Sequence, residues 1–181
     1  MNRINVIEYS NANPEQKALF DAITSQLGMV PNFLKVFANS PVALRAFLGL
    51  HGVANAGSLD AATRERIALA LAQQNSCEYC VSAHTAIGRK TGLSNDDMAA
   101  ARAGGSTDER AAVAVQFARK LMDSKGAVDN ADLLAVRAAG YSDAEIVEII
   151  THVGMNFLTN VLGKASRVEI DFPRVELALA A

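Results

Sequence analysis

Gly92-Leu93-Ser94-Asn95-Asp96-Asp97-Met98 and Gly140-Tyr141-Ser142-Asp143-Ala144-Glu145-Ile146 are one helix-to-helix corner written twice. In each, the glycine can take the left-handed position that ends a helix. The serine hydroxyl caps the next helix, and the acid three residues on completes a capping box. Leu93 with Met98, and Tyr141 with Ile146, stand at the spacing of hydrophobic staples. A chain that turns this way joins helix to helix. Four matching positions are shared turn physics and do not establish an internal repeat.

Working outward, further helix starts are marked at Asn13-Pro14, Ser40-Pro41 and Ser58-Leu59-Asp60, where a capping side chain or an N1 proline precedes an apolar-periodic run. Strand-like alternation is rare, and Ala and Leu dominate the periodic stretches. The expectation is an all-α protein. From about Ser142 to Gly163 the sequence is apolar nearly all round, which places that helix centrally or at a subunit interface. Within it Glu148, His152, Asn156 and Asn160 recur at steps of four. Such a stripe needs polar partners on neighbouring helices, or lines a pocket. His51 falls on the apolar side of its own helix and reads as a core or interface histidine.

A chain of 181 residues, half of them hydrophobic, can bury one sizeable core, so residues 1–181 read as a single domain. The formal charge is −2, and the longest basic cluster is the pair Arg89-Lys90. No footprint for nucleic acid or anionic membrane is present. No apolar run reaches bilayer length and the opening stretch has no apolar h-region, so a cytoplasmic location is expected. From about residue 168 the chain, including Asp171-Phe172-Pro173-Arg174, reads as an extended tail that in an oligomer can lie over a neighbouring subunit.

The only two cysteines sit together in Cys77-Glu78-Tyr79-Cys80, with His84 four residues on. A loop of two intervening residues removes little unfolded-state entropy, so a structural staple is not the natural reading. A pair one helical turn apart can close and reopen a disulfide, and an imidazole beside it can take a thiol proton. Asn75-Ser76 is a breaker and cap signal that puts Cys77 in a first turn, where the helix end lowers its thiol pKa. His84 instead favours Cys80 by adjacency. Local physics does not choose between the sulfurs. Glu65, in Thr63-Arg64-Glu65-Arg66-Ile67, reads by itself as a solvated charge. Two other classes stand beside redox chemistry. Cys77, Cys80, His84 and Glu65 offer zinc an acceptable donor set, although three of them lie on one helix within two turns. The cysteines can also simply be buried in a non-catalytic scaffold. No metal or cofactor is expected.

Glu65, eleven residues, then Cys77-x-x-Cys80-x-x-x-His84, resembles the AhpD-like proteins of the carboxymuconolactone decarboxylase superfamily, in their peroxidase-related branch. Met29-Val30-Pro31-Asn32-Phe33, the Ser40-Pro41 helix start, and the stretch from Glu145-Ile146-Val147 through Asn156 to Glu169-Ile170-Asp171-Phe172-Pro173 extend the resemblance over most of the chain. It implies an AhpD-like helical fold of about seven to eight helices, assembled as a trimer or hexamer. It also implies a thiol-dependent peroxidase acting in antioxidant defence. Cys80 would attack an organic hydroperoxide, Cys77 would resolve the sulfenic acid as a disulfide, His84 would be the general base and Glu65 would orient it. A dithiol or protein reductant must then restore the thiols. Tyr79 departs from those members that carry a histidine between the cysteines, which implies slower proton transfer. The decarboxylase branch works without a redox cysteine pair, which ranks lactone decarboxylation lower.

Overall fold

A computed structural model describes residues 2–178, and among these no strand occurs. A 3-10 turn at Tyr9–Asn11 precedes α1 (Pro14–Leu27), α2 (Asn32–Phe37), α3 (Pro41–Ala54), α4 (Ala61–Gln74), α5 (Glu78–Lys90), α6 (Asn95–Arg102), α7 (Glu109–Ser124), α8 (Asn130–Ala138) and α9 (Asp143–Ser166). The all-α expectation holds. Among the described residues there are nine helices rather than about seven to eight, because pieces as short as six-residue α2 show no periodicity in sequence.

The capping signals act where they were read. Asn13, Ser40 and Asp60 each accept from the backbone N–H three residues on. Ser94 with Asp97, and Ser142 with Glu145, form complete capping boxes, and Gly92 and Gly140 sit at φ 91° and 86°. All four staple residues are buried.

The centre of the molecule is α4, not α9. Ile67 through Ala72 are buried without interruption, so no face of α4 is left to water over this span. Its alanines let α5, α6, α7 and α9 approach closely, and each of Ile67, Leu69 and Leu71, fully buried, contributes roughly 1.5–3 kcal/mol. The apolar stretch from Ser142 to Gly163 was expected centrally or at a subunit interface, whereas α4 begins with the charged run Arg64-Glu65-Arg66. That run leaves the core at the helix start, where Arg64 reaches the Leu59 carbonyl and Arg66 pairs with Asp97 at 3.3 Å.

In length and hydropathy α9 could cross a bilayer, yet 44% of its most apolar window is buried inside the protein. One face rests on α3, α4, α5 and α7, while Val147, Ile150, Phe157, Leu158 and Val161 remain exposed. The helix also runs past Gly163 to Ser166, so this glycine is internal and does not end it.

The segment from Val168 is extended, and it packs on its own chain. Asp171 accepts from the backbone N–H of Asn32 at 2.7 Å and Arg174 grips Glu78 through two bonds of 2.8 and 2.9 Å. The Val175 N–H donates to Ser82 Oγ at 3.0 Å, and Phe172, Val175 and Leu177 join the core around α2 and α5. Within the single chain these apolar side chains are partly covered by α2 and α5.

Candidate functional site

Helix α5 begins with the cysteine motif, and the motif supplies its own cap. Ser76 adopts φ 53° and breaks away from α4; Cys77, not Ser76, is the N-cap, its Sγ accepting from the Cys80 N–H at 3.3 Å. Cys77 thus sits just outside the helix and Cys80 at the end of its first turn. The two are joined by a disulfide with Cα atoms 5.3 Å apart, and both are almost wholly buried. In this state neither sulfur is a thiolate free to bind a metal.

Two helices bring the remaining predicted residues together. Nδ1 of His84, on α5, stands 2.8 Å from Oε2 of Glu65, on α4. A carboxylate only accepts, so Nδ1–H donates and Nε2 is left to exchange protons. Glu65 is not the solvated charge it seemed in isolation: its side chain is 15% exposed and faces the imidazole. Its flanking arginines turn to Leu59 and Asp97, leaving Glu65 to His84.

Cys80, His84 and Glu65 line one cavity of about 230 Å³. Its walls are mostly apolar and aromatic, with Leu34, Phe33, Phe47, Met155 and Phe172 among them. Gln26, His51, Asn55, Arg64, Tyr79, His152, Asn156 and Thr159 are the other polar or charged lining groups. Cys80 Sγ lies 3.9 Å from the Thr159 carbonyl, on the α9 wall.

The polar stripe of α9 does both things foreseen for it. Glu148 accepts from the Ser58 and Leu59 N–H groups, each at 2.9 Å, and fixes the loop before α4. Asn160 accepts from Asn75 Nδ2 at 2.9 Å, just ahead of the motif. Between them, His152 and Asn156 line the cavity. Burial, then the Arg64 guanidinium, hold the His152 imidazole below its usual pKa. His51 is not a core residue: it is exposed in the single chain, on the cavity rim, with Asn55 Nδ2 3.0 Å from Nε2.

Tyr79, between the cysteines, is built into the scaffold. Its hydroxyl donates to Asp171 Oδ1 at 2.8 Å and accepts from the Phe33 N–H at 3.3 Å, and its ring stacks on Phe33. Burial, reinforced by Asp171, pushes the phenol pKa well above its ordinary value. Its hydroxyl is held by the tail and α2.

Gly163 was missed by sequence reading. A Cβ there would lie 3.0 Å from Cys77 Sγ and 3.5 Å from Cys80 Sγ, so the missing side chain is the space the disulfide occupies. A glycine inside an otherwise apolar helical run was the available signal.

Comparison with known proteins agrees with this geometry. Residues 41–123, from α3 through nearly all of α7, match the model of the carboxymuconolactone decarboxylase family. No curated protein matches the chain. An uncharacterised peroxidase-related protein from Silicibacter sp. TM1040 superimposes with a TM-score of 0.80 at 26% identity, over 93% of this chain and 94% of that one. An alkylhydroperoxidase AhpD core protein from Ralstonia eutropha JMP134, also peroxidase-related, gives 0.84 at 24% identity, over 94% and 92%. The debrominase Bmp8, as a cysteine-to-alanine variant in complex with 2,3,4-tribromopyrrole, gives 0.76 at 20% identity, over 93% and 91%. Residues 41–123 thus resemble the carboxymuconolactone decarboxylase family, and the chain as a whole has the AhpD-like helical fold.

Proposed function

We propose that this protein is a thiol-dependent peroxidase that reduces organic hydroperoxides through a Cys77–Cys80 dithiol/disulfide cycle. The observation that carries the reading is the disulfide set against an apolar cavity whose wall also holds the His84–Glu65 pair. The Cys80 thiolate attacks the terminal peroxide oxygen, the O–O bond breaks, and the alcohol leaves with a proton relayed by His84. Cys77 then attacks the sulfenic sulfur, the disulfide forms and water departs. Glu65 holds the imidazole in the tautomer that presents Nε2. The apolar lining excludes water and suits a hydroperoxide with a hydrocarbon body. We place the protein in the cytoplasm as a homo-oligomer, trimer or hexamer, supported by the exposed apolar face of α9.

Stopped-flow titration of the reduced protein with cumene hydroperoxide tests this. Two thiols are expected to disappear at a saturable rate, with Cys80→Ser inert, Cys77→Ser halting at a sulfenate, and His84→Ala slower by about 10²–10⁴-fold. Persistence of both thiols under excess peroxide overturns the reading. The aromatic lining also suits a flat halogenated ring of the kind bound to Bmp8, so thiol-dependent dehalogenation is the second reading. Bromide release from a bromopyrrole by a peroxide-inert protein would favour it.

A further inference from the structure

The disulfide stands between two recesses, and each cysteine lines a different one. Cys80 lines the apolar cavity, its Sγ next to the Thr159 carbonyl. Cys77 lines a separate, wider groove of about 930 Å³, together with Gly163, one turn further along α9. At Gly163 no side chain stands in the way of Cys77 Sγ.

The groove is positively charged. Arg3, Lys164, Arg167 and Arg174 line it against Glu78 and Glu169. Arg174 is engaged by Glu78 at 2.8 Å. Arg3, Lys164 and Arg167 are exposed, and among the described residues none of them has a carboxylate within salt-bridge distance. The cavity beside Cys80 is instead largely apolar.

We propose that this groove is where reducing equivalents arrive, and that its occupant is a dithiol bearing carboxylates. The inference rests on the disulfide cycle proposed above. Displacement at a disulfide proceeds along the bond axis, so a thiolate in the groove attacks Cys77 Sγ. The bond to the reductant forms, the Cys77–Cys80 bond breaks, and the electron pair leaves on Cys80, on the side of His84. The reductant's second thiol, deprotonated, then attacks its own mixed-disulfide sulfur. It closes the reductant's internal disulfide and releases Cys77, which takes up a proton. Two electrons and two protons pass from the dithiol to the protein. Hydroperoxide and reductant thus use opposite ends of one bond and do not compete for one cavity.

Reduction of the oxidised protein by dihydrolipoate, a 1,3-dithiol that closes a five-membered disulfide and carries a carboxylate, and by its amide, which lacks that charge, tests the charge requirement. An oxidised peptide spanning residues 75–82 calibrates the intrinsic rates. At low ionic strength the dihydrolipoate-to-dihydrolipoamide rate ratio is expected to exceed the peptide's by about tenfold. It should fall toward the peptide's value in 0.5 M salt, chosen because screening there confines charge effects to roughly 4 Å. Lys164→Glu combined with Arg167→Glu should abolish the excess by slowing dihydrolipoate more than dihydrolipoamide. A ratio equal to the peptide's, or one that survives charge reversal, overturns the proposal. The face is tested with single-cysteine proteins that melt cooperatively. In Cys80→Ser, Cys77 should react faster with anionic 5,5′-dithiobis(2-nitrobenzoate) than with neutral 4,4′-dithiodipyridine, after the same calibration. In Cys77→Ser, Cys80 should show no such preference. The reverse pattern overturns the assignment. None of these measurements uses peroxide, so their failure is distinct from failure of the peroxidase reading.

Discussion

At the scale of single residues, the site depends on two positions that carry no redox chemistry. Tyr79 ties the motif to both α2 and the tail through one hydroxyl. Tyr79→Phe leaves the Phe33 N–H and one Asp171 oxygen without their partner and should cost about 1–2 kcal/mol in urea denaturation at pH 7. Because the folded-state pKa lies above the reference value of 10.0, the phenol's contribution is complete below pH 10 and is lost as pH rises through the higher folded value. The stability gap between wild type and Tyr79→Phe should therefore narrow in an alkaline series above pH 10. A gap that stays constant to pH 11.5 would dissociate the hydroxyl from the effect. Gly163→Ala tests packing: its methyl would stand 3.0 Å from Cys77 Sγ, and relieving that contact should cost about 1–3 kcal/mol. An unchanged melting temperature would show that α9 can withdraw from the disulfide freely. The cysteine pair and His84 were legible in sequence from spacing alone, because neighbours three and four apart on a helix must meet. Glu65 was legible only by resemblance, since nothing local distinguishes a buried acid from a solvated one between two arginines.

At the scale of elements, the loop before α4 determines where Glu65 points. Glu148 reaches from α9 to two backbone N–H groups of that loop, and Gly57 leaves room for its carboxylate, which a Cβ would meet at 2.7 Å. Glu148→Ala should lower stability at pH 7 by about 1.5–3 kcal/mol, the range for hydrogen bonds to a charged group. The Ser58 N–H, first among its causes, holds this carboxyl below its ordinary value of 4.5. Its contribution is therefore present above pH 4.5 and lost as pH falls through the lower folded value. Denaturation midpoints of wild type and Glu148→Ala should converge in acid; parallel curves down to pH 3 would refute the loop-anchoring role. The helices themselves were readable from their caps, because a serine and an acid three residues apart satisfy their own backbone groups without tertiary help. The start of α5 was misread by one residue. Only the packed structure shows Ser76 turned left-handed and the Cys77 sulfur capping the helix in its place.

At the scale of the whole molecule, the apolar outer face of α9 should set the assembly. Ile150→Glu with Phe157→Glu, both at exposed positions, should reduce the mass measured by light scattering to that of one chain while the fold is kept. An undiminished mass would move the interface elsewhere. The tail has a different role: truncation after Val168 removes Asp171, Arg174 and the cover over α5, a loss felt within the subunit. By itself the sequence determined an all-helical chain, the places where its helices start and turn, and a cysteine pair with an imidazole beside it. These follow from interactions spanning three to five residues. Only the tertiary structure decided that α4 and not α9 is the hub, that Glu65 turns inward to His84, that the tail packs on its own chain, and that the two cysteines line different recesses. Each of those outcomes depends on residues tens of positions apart meeting in the packed core, where burial and competition for space choose among partners that local spacing leaves equivalent.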